Sequence, residues 1–167
     1  MDDRLLSIYL NDHLAGATAG ALISRRTAGS NRGTKLAKRL DSLATEIEQD
    51  RDTLLSVMQK VGATPNRAKT ALVKLAERTG RVLKLNGRLV EYSPLSRVEE
   101  LEILRLGVEG KLALWRTLEK TRGADPRLKA LDFAALAERA ERQRDELETM
   151  RLQAAEEAFG KAPARSR

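Results

Sequence analysis

The chain has 167 residues, 41% of them hydrophobic and 33% charged, with a formal net charge of +7 and no cysteine. That length carries one domain with its own core, and the hydrophobic share excludes a wholly disordered chain. The lack of cysteine excludes disulfides, thiolate metal sites and cysteine catalysis.

Aromatic residues make up only 3% (Tyr9, Tyr92, Trp115, Phe133 and Phe159), so the core must be mostly Leu, Ala, Val and Ile. The richness in Ala, Leu, Arg, Glu and Lys favours helices. Leu6, Leu10, Leu14, Ala17 and Ala21 recur at helical spacing and predict a first long helix over about residues 3–27. Within it Gly16 and Gly20 are four apart, a spacing that permits close approach of a neighbouring helix. The stretch LAGATAGALI has some likeness to a signal-peptide core, but Asp2, Asp3, Asn11, Asp12 and His13 precede it. A signal peptide needs a basic, uninterrupted start, and no apolar run reaches the ~20 residues that span a bilayer. The expectation is a cytoplasmic protein without membrane association. GSNRG, residues 29–33, reads as a turn.

A second long helix is expected over about 34–61, with the stripe Leu36, Leu40, Leu43, Ile47, Leu54, Met58 and Val61. The stripe has one gap: between Ile47 and Leu54 the seam falls on Asp50 or Arg51. Thr64-Pro65 is a helix start, predicting a shorter helix over about 65–79 and a further helical piece around Val82 and Leu83. Asn86-Gly87 turns the chain, within either a helical crossover or a hairpin over VLKLNGRLVEY. The crossover is preferred, because no third strand is present to support an isolated hairpin.

Ser93-Pro94 repeats the start signal. A third long helix follows to about 121, faced by Val98, Leu101, Leu104, Val108, Leu112, Trp115 and Leu118. RGADPR is a turn. The fourth helix starts near Asp125 or after Asp132 and runs to about Phe159, with Leu136, Ala140, Gln143, Leu147, Met150 and Ala154 on its stripe. Residues 1–159 form the helical domain, and 160–167, with Lys161, Arg165 and Arg167, form a basic flexible tail.

Four helices of roughly 40 Å at 1.5 Å per residue, with short first and third connections and a long middle one, give two antiparallel hairpins joined by a crossover. In topology, lengths and mid-helix charges the chain resembles the ferritin-like superfamily. That resemblance implies an all-α four-helix bundle and, in members with a di-iron or manganese centre, a Glu on the first and third helices and Glu-x-x-His on the second and fourth. Here the corresponding segments are Glu48-Gln49-Asp50-Arg51 and Glu148-Thr149-Met150-Arg151. Arginine is permanently cationic and cannot ligate a metal, so the di-metal site is degenerate. If a metal were held, Asp12, His13, Glu48, Asp50, Glu109 and Glu146 would be its ligands.

Three arrangements of the mid-helix charges stand open: surface i, i+3 pairing of Glu48–Arg51 and Glu148–Arg151, a buried polar cluster of His13, Asp50, Arg51, Glu109 and Gln143, or a metal site. In the buried version Arg51 neutralises Asp50, Glu48 or Glu109, and Gln143 meets His13. Arg25, Arg26, Arg32 and Lys35 near the first turn, with Lys161, Arg165 and Arg167, are candidate phosphate contacts. No phosphate loop or nucleophile elbow occurs.

The leading expectation is therefore a metal-free structural or protein-interaction module with no catalytic centre and no cofactor. The alternatives are a divergent di-metal carboxylate protein or oxidoreductase, and a basic protein binding nucleic acid weakly and non-specifically. Apolar residues outside the main seams (Leu5, Ile8 and Tyr9 on the first helix; Ile103, Leu106, Ala113 and Leu114 on the third) point to a homodimer.

Overall fold

The computed structural model describes residues 2–69, 71 and 92–160. Among these, all regular structure is helical. Four long helices, α1 (Asp3–Ser30), α2 (Ala37–Val61), α3 (Pro94–Thr121) and α4 (Phe133–Phe159), are joined at the α3–α4 corner by two single 3-10 turns, Arg122–Ala124 and Pro126–Leu128. Residues 67–69 and 71 are also helical. The remainder of the expected 65–79 helix, the piece around Val82 and Leu83, the Asn86-Gly87 turn and the basic tail from Lys161 onward lie outside the described residues.

Local chemistry sets the helix ends. Asp2 caps α1, its Oδ1 accepting from the backbone N–H groups of Arg4 at 2.9 Å and Leu5 at 3.0 Å. The helix runs through Gly29 to Ser30, three residues past the expected end, because the fully buried Asn31 caps it: Asn31 Nδ2 donates to Thr27 O at 2.8 Å. α2 begins at Ala37 and not at 34. Thr34 is spent in the turn, its N–H bonding Asn31 O at 3.0 Å and its Oγ1 accepting from Leu36 N at 3.2 Å. α2 stops at Gly62, whose φ of +74° supplies the left-handed cap that a glycine takes at least cost.

Pro94 opens α3 behind a reciprocal Ser93/Ser96 capping box. Of the two starts expected for α4, the later is used, with Asp132 accepting from Ala135 N at 3.0 Å. Asp125 instead caps the second 3-10 turn.

Contacts between named residues fix the helix directions. Arg25 meets Glu48 and, toward the start of α1, Asn11 meets Thr64 just past the end of α2, so α1 and α2 are antiparallel. Arg26–Glu100 and Asn31–Arg97 make α1 and α3 antiparallel. Arg97–Glu157 and Arg116–Glu141 do the same for α3 and α4, and Arg39–Glu146 with Asp50–Arg139 for α2 and α4. Both α2 and α3 therefore run against α1 and are parallel to each other.

The predicted seams face inward. Leu10, Leu40, Leu54, Leu101, Leu112 and Leu147 are almost wholly buried, and Trp115 stacks on Phe133 with ring centroids 6.1 Å apart. At the gap in the α2 seam it is Asp50, 2% exposed, that points inward.

Candidate functional site

Asp50 sits one helical turn from both Ile47 and Leu54, so the same periodicity that buries those residues buries its carboxylate. Three side chains from the facing helices reach it. Lys111 Nζ of α3 donates to Oδ2 at 2.5 Å, Arg139 Nη2 of α4 donates to Oδ1, and Gln143 Nε2 of α4 donates to Oδ2 at 3.2 Å. Gln143 bridges further: its Oε1 accepts from Lys111, and its Nε2 donates to Glu46 Oε2 at 2.8 Å. Burial pushes the Lys111 ammonium below the ordinary lysine range, and the neighbouring carboxylate of Asp50 opposes that shift. The result is a charge-balanced polar layer crossing α2, α3 and α4.

The expected metal ligands do not converge with Asp50. Asp12 is exposed and pairs with Lys69 at 2.6 Å. His13 is half-buried, set edge-to-face against Tyr9 at a centroid distance of 4.5 Å, and burial lowers its imidazole below the ordinary value. Glu146 pairs with Arg39 at 3.0 Å. Glu48 turns outward to Arg25, with contacts of 2.5 and 2.7 Å, because α1 presents a closer cation than Arg51 does. Among the described residues no three side chains of metal-ligating type come together. Around Asp50 the available positions are filled by two cations, which repel a metal ion.

The polar layer also differs in membership from the expected one. Glu109 is exposed, and its nearest cation is Arg144 at 3.9 Å. Its position lies one residue past the Val108 seam, on the wet side of α3. Arg51 is half-buried and turns to Asp52 at 2.7 Å, so it does not neutralise Asp50. The bonds of Gln143 go to Lys111, Glu46 and Asp50, and none goes to His13. Of the two i, i+3 pairs, Glu148–Arg151 forms at 2.7 Å.

Lys111 and Arg139 are the members that sequence reasoning missed. Each stands one position before a seam residue, Leu112 and Ala140, where a long side chain can fold its head inward. The available signal was a seam gap at Asp50 level with a polar seam residue, Gln143.

Of the candidate phosphate contacts, Arg25 pairs with Glu48, Arg26 lies 3.3 Å from Glu100, and Arg32 and Lys35 are exposed. Lys161, Arg165 and Arg167 lie outside the described residues.

Beside the polar layer lies a cavity of about 260 Å³ between α1, α2 and α3. One end is walled by Ile23, Ile47, Ile103 and Leu104, the other by His13, Asp50, Arg51, Lys111 and Trp115. Four glycines line it between these ends: Gly16 and Gly20 on α1, Gly107 and Gly110 on α3. The close helix approach that the Gly16/Gly20 spacing permits is not made there. A Cβ at Gly16, Gly107 or Gly110 would meet nothing within 4 Å, and at Gly20 it would touch only Ile47 Cγ2 at 3.9 Å. Gly16, Gly107 and Gly110 are exposed, so the cavity opens between α1 and α3. Trp115 is fully buried, and its Nε1 has no hydrogen-bond partner among the described residues.

A second buried network lies at the C-terminal end of α1. Asn31 Nδ2 also donates to Tyr92 Oη at 2.7 Å, its Oδ1 accepts from Arg97 Nε at 2.5 Å, and Tyr92 Oη donates to Glu100 Oε2 at 3.1 Å. It ties the start of α3 to the end of α1. No protein-family model, characterised protein or solved structure matches the chain.

Proposed function

We propose that the chain is a ferritin-like helical bundle without a metal centre, acting as a structural and protein-interaction module. The antiparallel pairs α1/α2 and α3/α4 and the parallel α2 and α3 support the topology. The observation that carries the reading is the layer of Asp50, Lys111, Arg139 and Gln143. Fixed cations take the place at Asp50 that a metal ion would need, and they hold the register of three helices. Removing Asp50 leaves Lys111 and Arg139 without their carboxylate, so the layer disfavours slipped packings. At the α1–α2 corner Arg25, Arg26 and Arg39 are engaged with carboxylates, which leaves only the exposed Arg32, Lys35 and Lys38 for phosphate.

Elemental analysis of protein purified without chelators, then loaded with Fe(II) or Mn(II), tests this reading. The expected outcome is no stoichiometric retention. Two ions held tightly per chain and lost in Asp50→Ala would overturn it. In the same reading the partner is a second copy of the chain, meeting through the exposed Leu5 and Ile8 of α1.

A further inference from the structure

The outer face of α3 changes character along its length. Steps of three and four residues keep to one side of a helix. On α3 such steps lead from Glu99 and Glu102, through Leu106, Gly110 and Ala113, to Arg116 and Lys120. The stripe is acidic at its start, apolar and small in its middle and basic at its end. It spans about 32 Å at 1.5 Å per residue. Leu106 is 68% exposed, Glu99 is half-buried and Lys120 is exposed. Glu102 and Arg116 reach Arg151 and Glu141 of α4, yet each keeps half or more of its side chain in solvent.

Turned end for end, this order of chemistry is its own complement. A two-fold axis midway between Leu106 and Ala113 sets α3 of one copy antiparallel to α3 of another. Glu99 then lies level with Lys120 of the other copy, and Glu102 lies level with Thr117, beside Arg116. Each pairing occurs twice, because in an isologous contact residue i meets j and j meets i. In the middle, Leu106 of each copy stands over Gly110 and Ala113 of the other, where the stripe carries nothing larger than a methyl group. Glu109 is the exception: it falls beside the axis and approaches its own copy, with Arg144 at 3.9 Å to offset it.

Leu5 and Ile8 belong to the same side of the molecule. Leu5 precedes Gly16 by eleven residues, three turns, and so shares its side of α1. Gly16 and Gly110 flank the mouth of the cavity between α1 and α3, and Leu106 stands one turn before Gly110. A copy that covers Leu106 therefore also faces Leu5 and Ile8. Arg26 against Glu100 sets the register of α1 on α3. The axis thus passes level with residues 16–17 of α1, and Leu5 and Ile8 fall level with residues 25–28 of the other copy.

We propose that this face is the contact between two copies of the chain, with α3 packed antiparallel on α3 about that axis and Leu106 of each seated against Gly110 and Ala113 of the other. The proposal rests on the reading that the partner is a second copy, and it supplies the register of that contact. Exposed ion pairs fix orientation more than they add affinity, so the association stays weak.

Sedimentation of the full chain at low salt, up to millimolar concentration, is the test. The wild type is expected to dimerise reversibly. Glu99→Lys/Glu102→Lys makes the charges of the stripe basic at both ends, and Arg116→Glu/Lys120→Glu makes them acidic at both ends. Each variant alone is expected to stay monomeric with unchanged helical content. Mixed in equal amounts, the two are expected to associate at least as readily as the wild type, because each end again meets the opposite sign. Glu109→Gln, which removes the like-charge approach at the axis, is expected to tighten the dimer several-fold.

Three results would overturn the α3 register and leave the second copy bound through another face: a charge-reversed variant that dimerises as well as the wild type, a mixture that stays monomeric, or a Glu109→Gln chain that dimerises less well. A wild type monomeric at every concentration would overturn the second-copy reading along with it.

Discussion

Asp50 is held by two cations from two different helices, and this makes its single and combined substitutions behave differently. Asp50→Leu leaves Lys111 and Arg139 in a buried setting without their carboxylate, and should cost about 3–5 kcal/mol in urea denaturation. Replacing all three charges together, Asp50→Leu/Lys111→Met/Arg139→Leu, removes the desolvation cost along with the pair. That variant should return to the wild-type midpoint or exceed it. A triple variant as unstable as the single one would show that the layer contributes net stability and not register.

A second residue-scale device sits at the α3–α4 corner. Arg127 bonds Asp125 Oδ2 and Asp3 Oδ1, each at 2.6 Å, and the last carbonyl of α2, Val61 O, at 3.0 Å. Hydrogen bonding to the Arg127 guanidinium holds the Asp125 carboxyl down to about 2 against an ordinary 3.8. A depressed carboxylate stabilises the fold fully above its unfolded value, and that stabilisation disappears as pH falls through the folded one. The stability difference between the wild type and Asp125→Asn should thus be constant above about pH 4 and shrink toward zero near pH 2. A difference that stays unchanged down to pH 2 would remove Arg127 as the cause.

At the scale of elements, capping chemistry decides where the helices stop. Ser93 caps α3 both ways with Ser96, so Ser93→Ala should cost about 1 kcal/mol, read as a lowered melting temperature. A loss within a few tenths would mean that Tyr92 and the Asn31 network hold this end unaided.

The start of α3 is legible in Ser93-Pro94 because the Ser93 hydroxyl and the Pro94 ring both act within the first turn itself. The start of α2 is not: Thr34 looks like a cap, but its hydroxyl closes a turn whose geometry Gly33 (φ +86°) and Asn31 set. The seams of α2, α3 and α4 are legible because burial follows a strict period. Of the partners of Asp50, Gln143 is legible on the α4 stripe, but Lys111 and Arg139 are not, because they stand off the seam and reach inward with long side chains. The glycine pair of α1 misleads for a related reason. Its spacing is visible in sequence, but whether a neighbour fills the gap depends on Gly107 and Gly110, which face it from another helix.

For the whole molecule, the apolar residues outside the seams divide between two fates. Leu114 is buried and Ile103 half-buried, and both wall the cavity. Leu5, Ile8 and Leu106 remain 63%, 49% and 68% exposed. The α1–α3 register, with Arg26 against Glu100, sets Leu106 level with residue 20 of α1, so it stands roughly 22 Å along the axis from Leu5 at 1.5 Å per residue. One compact patch cannot hold all three. Leu5 and Ile8 are one turn apart with the half-buried Tyr9 beside them, and they supply far less than the ~1,000 Å² that a stable interface needs. The two-fold dimer proposed through them should consequently be weak. Sedimentation is expected to give a monomer at low micromolar concentration and a reversible dimer toward the millimolar range, where association is worth only about 4 kcal/mol. Leu5→Lys/Ile8→Lys should leave a monomer throughout. A tight dimer indifferent to that double change would move the interface to another face, and a monomer at every concentration would remove self-association altogether.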